Sequence, residues 1–166
     1  MKKKIISLFS LLCLLFFVAI GTADAAIKTK ADITVVVKKL NSLSKTDMTS
    51  FVNKSELIGV RKERFSLYST QYQRKIVSTV ENLQNISNSI DVINKSLEIS
   101  NTEKKMQLQK LYQEADAALG DVDNITLDFL VGSEMLPSIT QQRFIKKFLA
   151  YYNSLNITDQ NITFEK

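Results

Sequence analysis

The chain has 166 residues with no His, no Trp, one Cys, one Pro and four Gly, a formal charge of +5, 45% hydrophobic and 23% charged residues. That composition is globular rather than disordered, and so few helix breakers favour long uninterrupted helices over a many-turn β architecture. Without His there is no Ser-His-Asp triad, no Cys-His dyad, no His-ligated haem and no His-containing zinc site.

The first 26 residues have the three-part pattern of a secretory signal peptide. Lys2, Lys3 and Lys4 form a charged start, Ile5 to Ile20 an apolar run, and Gly21-Thr22-Ala23-Asp24-Ala25 places small residues before a cleavage point between Ala25 and Ala26. An uncleaved anchor is the competing reading, but the run is short for a span of about 20 residues. Cys13 sits inside the apolar run behind Leu12, which does not fit lipid attachment, so the mature chain is expected to lack cysteine. A cysteine-free exported chain with a triple-Lys start points to a bacterial protein, periplasmic or secreted. Against this stand the Asn-x-Ser/Thr sequons at Asn53, Asn85, Asn94, Asn124, Asn156 and Asn161, which in a eukaryotic secreted glycoprotein would be glycan acceptors. Removing residues 1–25 lowers Lys+Arg from 22 to 19 and Asp+Glu from 17 to 16, leaving +3. The basic residues form no run and the aromatics no stacking motif, so no nucleic-acid partner is expected.

In chain order, Ile33, Val36, Val37, Leu40 and Leu43 recur every three or four residues and predict a helix over 31–43, with Asp32 a favourable charge near its start. The β-branched run Val35-Val36-Val37 makes strand the competitor. Thr46 or Asp47 then caps a short helix holding Met48, Phe51 and Val52.

Residues 60–99 contain neither Pro nor Gly, and Leu83, Ile86, Ile90, Ile93 and Leu97 follow a heptad seam. Ser100-x-x-Glu103 is a capping box that starts the next helix. Its own seam runs through Leu108, Leu111, Ala115, Ala118, Val122, Ile125 and Phe129. Two seams joined by a capped turn predict a long antiparallel hairpin, 60–99 and 101–131, tightest near Ala115 and Ala118 and continuous through Gly120. Such seams also permit pairing between chains, hence a homo-oligomer.

After Gly132-Ser133 and Pro137, Ser138-x-x-Gln141 reads as a second capping box opening a last helix to about Asn153. Phe144, Ile145, Phe148, Leu149, Tyr151, Tyr152 and Leu155 form its broad apolar side. Arg143, Lys146, Lys147, Ala150 and Ser154 lie opposite. Residues 156–166 have no clear burial face and are expected to be a loose tail. The fold class is thus an all-α bundle built on a coiled-coil-like hairpin, with shorter N- and C-terminal helices packed on it and residues 26–155 one domain.

Little here carries chemistry. The acidic cluster Glu114, Asp116, Asp121, Asp123 and Asp128 lacks the glycine and third oxygen ligand of a calcium loop and reads as a solvated face. No phosphate-binding glycine motif and no placed nucleophile occur. The expectation is no enzyme, no cofactor and no metal. The one candidate surface is the last helix, through Arg143, Phe144, Lys146, Lys147, Phe148, Tyr151 and Tyr152, as a partner-docking or membrane-binding face. The competing and preferred reading is that its aromatics cover the hairpin. The functional expectation is a protein-binding, chaperone-like or secretion-system assembly factor of the bacterial envelope. The alternative is a membrane- or lipid-interacting pore former or lipid carrier using residues 138–155.

Overall fold

The computed structural model describes residues 27–158 and 161–164. The expected signal segment, with its expected Ala25–Ala26 cleavage point, lies outside them. Four α-helices follow one another with no strand among the described residues.

Helix α1, Lys30–Ser44, starts from a capping box. The Thr29 hydroxyl accepts from the Asp32 amide at 3.2 Å, and the Asp32 carboxylate accepts from the Thr29 amide at 2.8 Å. These bonds, with one from the Lys28 amide, hold the Asp32 carboxyl below its ordinary range. The valine run stays helical because Ile33, Val36, Leu40 and Leu43 bury one stripe against the next long helix. Tertiary burial overrides the β-branched preference. Asp47, not Thr46, caps a single 3-10 turn at Met48–Phe51, and a second turn, Lys54–Glu56, leads on. Gly59 then takes φ 52°, a left-handed conformation that a side chain disfavours.

Helix α2, Gly59–Lys95, and helix α3, Asn101–Gly132, form the hairpin. With 37 and 32 residues they reach about 55 and 48 Å at 1.5 Å per residue. Leu83, Ile86 and Ile90 are buried on α2, and Ala115, Ala118, Val122 and Phe129 on α3. The seams therefore pair inside one chain along this stretch. The Ser100–Glu103 capping box is formed, and α3 runs unbroken through Gly120.

The tip departs from the expected seam. Helix α2 ends at Lys95, not near residue 99, because Ser96 is extended and the chain must reverse before the Ser100 cap. Leu97 is consequently 96% exposed. Helix α1 reaches only as far as Lys30, whose Nζ meets Asp91 at 2.5 Å, so no described helix covers the hairpin beyond it.

Helix α4, Ser138–Ser154, has no side-chain cap, which corrects the expected box at Ser138. Pro137 occupies the cap position, Ser138 is already the first helical residue, and Gln141 falls one place past the capping register. Its side chain instead turns inward, where Nε2 donates to the Ser133 hydroxyl at 3.2 Å. The aromatic side of α4 closes the bundle. Phe144 and Phe148 stack at 5.6 Å and meet Phe129 edge-on at 5.6 and 5.5 Å, while Phe129 itself stacks on Tyr72 at 4.5 Å.

The tail also differs from expectation. Ile157 and Ile162 are buried. Asn156 reverses the chain at φ 45°. The Asn153 amide then clamps Ile162, accepting from its N–H at 3.1 Å and donating to its carbonyl at 3.0 Å. The apolar residues Ile157, Ile162 and Phe164 follow neither helical nor strand period, so pattern alone does not reveal their burial.

Candidate functional site

Helix α4 divides the sequence-predicted face in two. Phe144, Phe148 and Tyr152 lie in the core, whereas Arg143, Lys146 and Lys147 are exposed. Tyr151 stands between, half-buried, with its ring 5.4 Å from that of Phe51 and its hydroxyl 2.8 Å from that of Thr46. The seven residues thus do not share one surface. What α4 presents outward is a cationic stripe bordered by exposed Ile139 and Ala150. Among the described helices, α4 alone carries cations and no acid. Exposed Arg143 reaches half-buried Glu56 at 3.8 Å, a long pairing partly screened by solvent.

The acidic cluster also divides. Asp116 accepts from the Ile27 amide at 2.8 Å and anchors the chain entering α1. Asp123, seven residues on and on the same face, accepts from the Tyr152 hydroxyl at 2.8 Å and from Thr158 at 3.4 Å, tying α4 and the tail to α3. At 3.6 residues per turn Asp121 points about 200° away from Asp123. Glu114, Asp121 and Asp128, again spaced by seven, are exposed on the opposite edge.

That edge borders a groove between α2 and α3 on the side that α1 and α4 leave bare. Its broad part, about 560 Å³, is lined by Asn82, Ile86, Glu114, Ala118, Asp121 and Ile125. A narrower part, about 110 Å³, continues from Ile125 to Tyr68, Lys75 and Asp128. The Tyr68 ring lies directly on Gly132, where an added Cβ would stand 2.8 Å from it, so glycine lets the ring close the groove's end. Sequence reading missed this groove, although the seven-residue spacing of its acids was visible.

Electrostatics distinguish the inner groups. Burial pushes the Tyr72 and Tyr152 phenols well above their ordinary range, so both stay protonated donors near neutrality. Tyr72 pairs with the Thr126 hydroxyl at 3.0 Å. Partial burial raises the Asp123 carboxyl, against the opposing hydrogen bonds from Tyr152 and Thr158. A raised folded-state pKa means that the native protein binds the proton more tightly than the unfolded chain. The ionised group therefore destabilises the fold above the raised pKa, and the penalty vanishes below the ordinary carboxylate value. Asp123→Asn, which still accepts from Tyr152, should be more stable than the parent at pH 7, with the difference shrinking as pH falls into the carboxylate range. Urea midpoints at pH 7 and 4.5 check this; a gap that widens in acid contradicts it.

No three His, Cys, Asp or Glu side chains converge as a metal-binding group among the described residues, and no described helix is long and apolar enough to cross a membrane. No family model matches this chain, and no curated protein or solved structure gives a significant match. What the geometry presents outward is two polar surfaces, a cationic helix face and an acid-edged groove.

Proposed function

We propose that the protein is an exported, non-catalytic assembly or binding factor of the bacterial envelope, whose partners are proteins met by the helix faces outside the core. The observation that carries this reading is the seating of α4. Phe148 is 0% exposed with aromatic rings around it, so the side chains a membrane-binding helix would insert are holding the bundle closed. The surface left outside is charged and grooved, which suits docking to another folded chain. The polar side chains turned inward, Asp116, Asp123, Thr126 and Gln141, hydrogen-bond between elements of the fold.

Vesicle flotation of protein recovered from an exporting host tests the reading. The expected intact mass is that of residues 26–166 without glycan, and the protein should remain at the bottom with neutral and anionic lipids at physiological salt. Flotation at that salt, accompanied by loss of the near-ultraviolet tyrosine signal, would mean that α4 leaves the bundle and would replace this reading with the lipid-interacting one. A mass including residues 1–25 would replace cleavage with the uncleaved-anchor reading, and added glycan mass would move the protein to the eukaryotic class.

A further inference from the structure

The groove and the outer face of α4 are complementary in charge. From Leu111 to Gly132 the chain has five acids and no cation, and α4 has three cations and no acid. On the groove side, Glu114, Asp121 and Asp128 form a row of about 21 Å along α3. They are poorly neutralised within the chain. Lys110 stands 3.8 Å from Glu114 and Lys75 stands 4.0 Å from Asp128, both pairs exposed and so weak and salt-screened. Asp121 has no ion pair among the described residues, nor have Lys146 and Lys147.

The outward stripe of α4 is Ile139, Arg143, Lys146 and Ala150, spaced four, three and four and so aligned on one face of the helix. Ile139 is 66% exposed and supplies an apolar knob, and Ala150 a small residue that permits close approach. The groove offers an apolar floor at Ile86, Ala118 and Ile125 between its polar edges.

Building on the assembly reading, we propose that this chain associates with further copies of itself head to tail, the outer face of α4 in one copy lying in the α2–α3 groove of the next. The two surfaces occur on opposite sides of the hairpin, because Asp123 holds α4 on one side while Asp121 faces the other. One contact cannot therefore close on itself by two-fold symmetry. The interface is heterologous, and repetition gives an open filament or a ring.

Sedimentation equilibrium of the chain from Ala26 onward, which holds every described residue, tests this. The average mass should rise above one chain with concentration and fall back as salt is raised. Asp121→Lys with Asp128→Lys should weaken association at least tenfold, and so should Arg143→Glu with Lys146→Glu. An equal mixture of the two variants should regain it, as should one chain carrying all four changes. Ala150→Trp should weaken association without altering charge, and the circular dichroism of all variants should match the parent, since every position is exposed. A parent that stays monomeric up to millimolar concentration, or that associates equally with the reversed charges, overturns the self-assembly. If such a monomer also stays off vesicles, the assembly reading survives with a different partner. If it floats, both readings fall.

Discussion

Phe148→Ala is expected to lower the free energy of unfolding by about 3–5 kcal/mol, the range for removing a fully buried aromatic ring. The residue is 0% exposed, and its ring has five aromatic neighbours from four segments: Phe51 at 5.6 Å, Tyr72 at 5.9 Å, Phe129 at 5.5 Å, Phe144 at 5.6 Å and Tyr152 at 6.3 Å. Those neighbours are fixed by the hairpin below and by the 3-10 turn beside it, so the site cannot collapse far and the cavity term adds to the lost transfer energy. Against a total of about 5–15 kcal/mol for a domain, the change moves the urea midpoint by a large fraction, with the slope unaltered if the native state stays intact. Lys147→Ala, one residue away but exposed, should change stability by no more than about 0.5 kcal/mol. Equal effects at the two positions would show that α4 is not seated as described, and with it the main support for a protein-binding role would go.

The contrast between positions 147 and 148 also marks how far the sequence could be read. Where apolar residues keep a helical period over several turns, the element, its buried stripe and its capping box follow from the spacing. Helix α1 despite its valines, the hairpin, the Ser100–Glu103 turn and continuity through Gly120 all belong here. Periodicity does not say what lies across from a stripe. Leu97 continues the heptad count yet points into solvent, because a chain that must reverse at Ser96–Ser100 has no opposing helix there. The box at Ser138 failed by one residue, a shift that only the position of Pro137 decides.

The candidate site was legible in residue type but not in arrangement. Arg143 and Phe144 are neighbours in sequence, yet one is exposed and the other is 0% exposed, so a face assembled from consecutive residues of α4 joined two surfaces. The acids of α3 were merged in the same way. Asp121 and Asp123 differ by two positions and about 200° around the helix, and the difference separates a groove edge from an internal hydrogen-bond acceptor. Only the packing of α1 and α4 against one side of the hairpin assigns them.

The tail gives the second large expectation. Ile157→Ala should destabilise the protein by about 2–5 kcal/mol, as for other buried isoleucines, whereas a loose tail would give no more than about 0.5 kcal/mol. Ile157 is 4% exposed although it follows the end of α4, because the turn at Asn156 folds the chain back and the Lys39 ammonium donates to the Asn156 carbonyl. Ile162 is held against the end of α4 by both groups of the Asn153 amide. These contacts span α1, α4 and the tail, so loss of the Ile157 side chain should loosen more than its own segment. Urea titration measures the loss. Limited proteolysis locates it, since cleavage beyond Ser154 should accelerate in Ile157→Ala while the parent resists. A parent cut there as fast as the variant would mean that the segment is not docked, and that Asp123 keeps only Tyr152 as its partner.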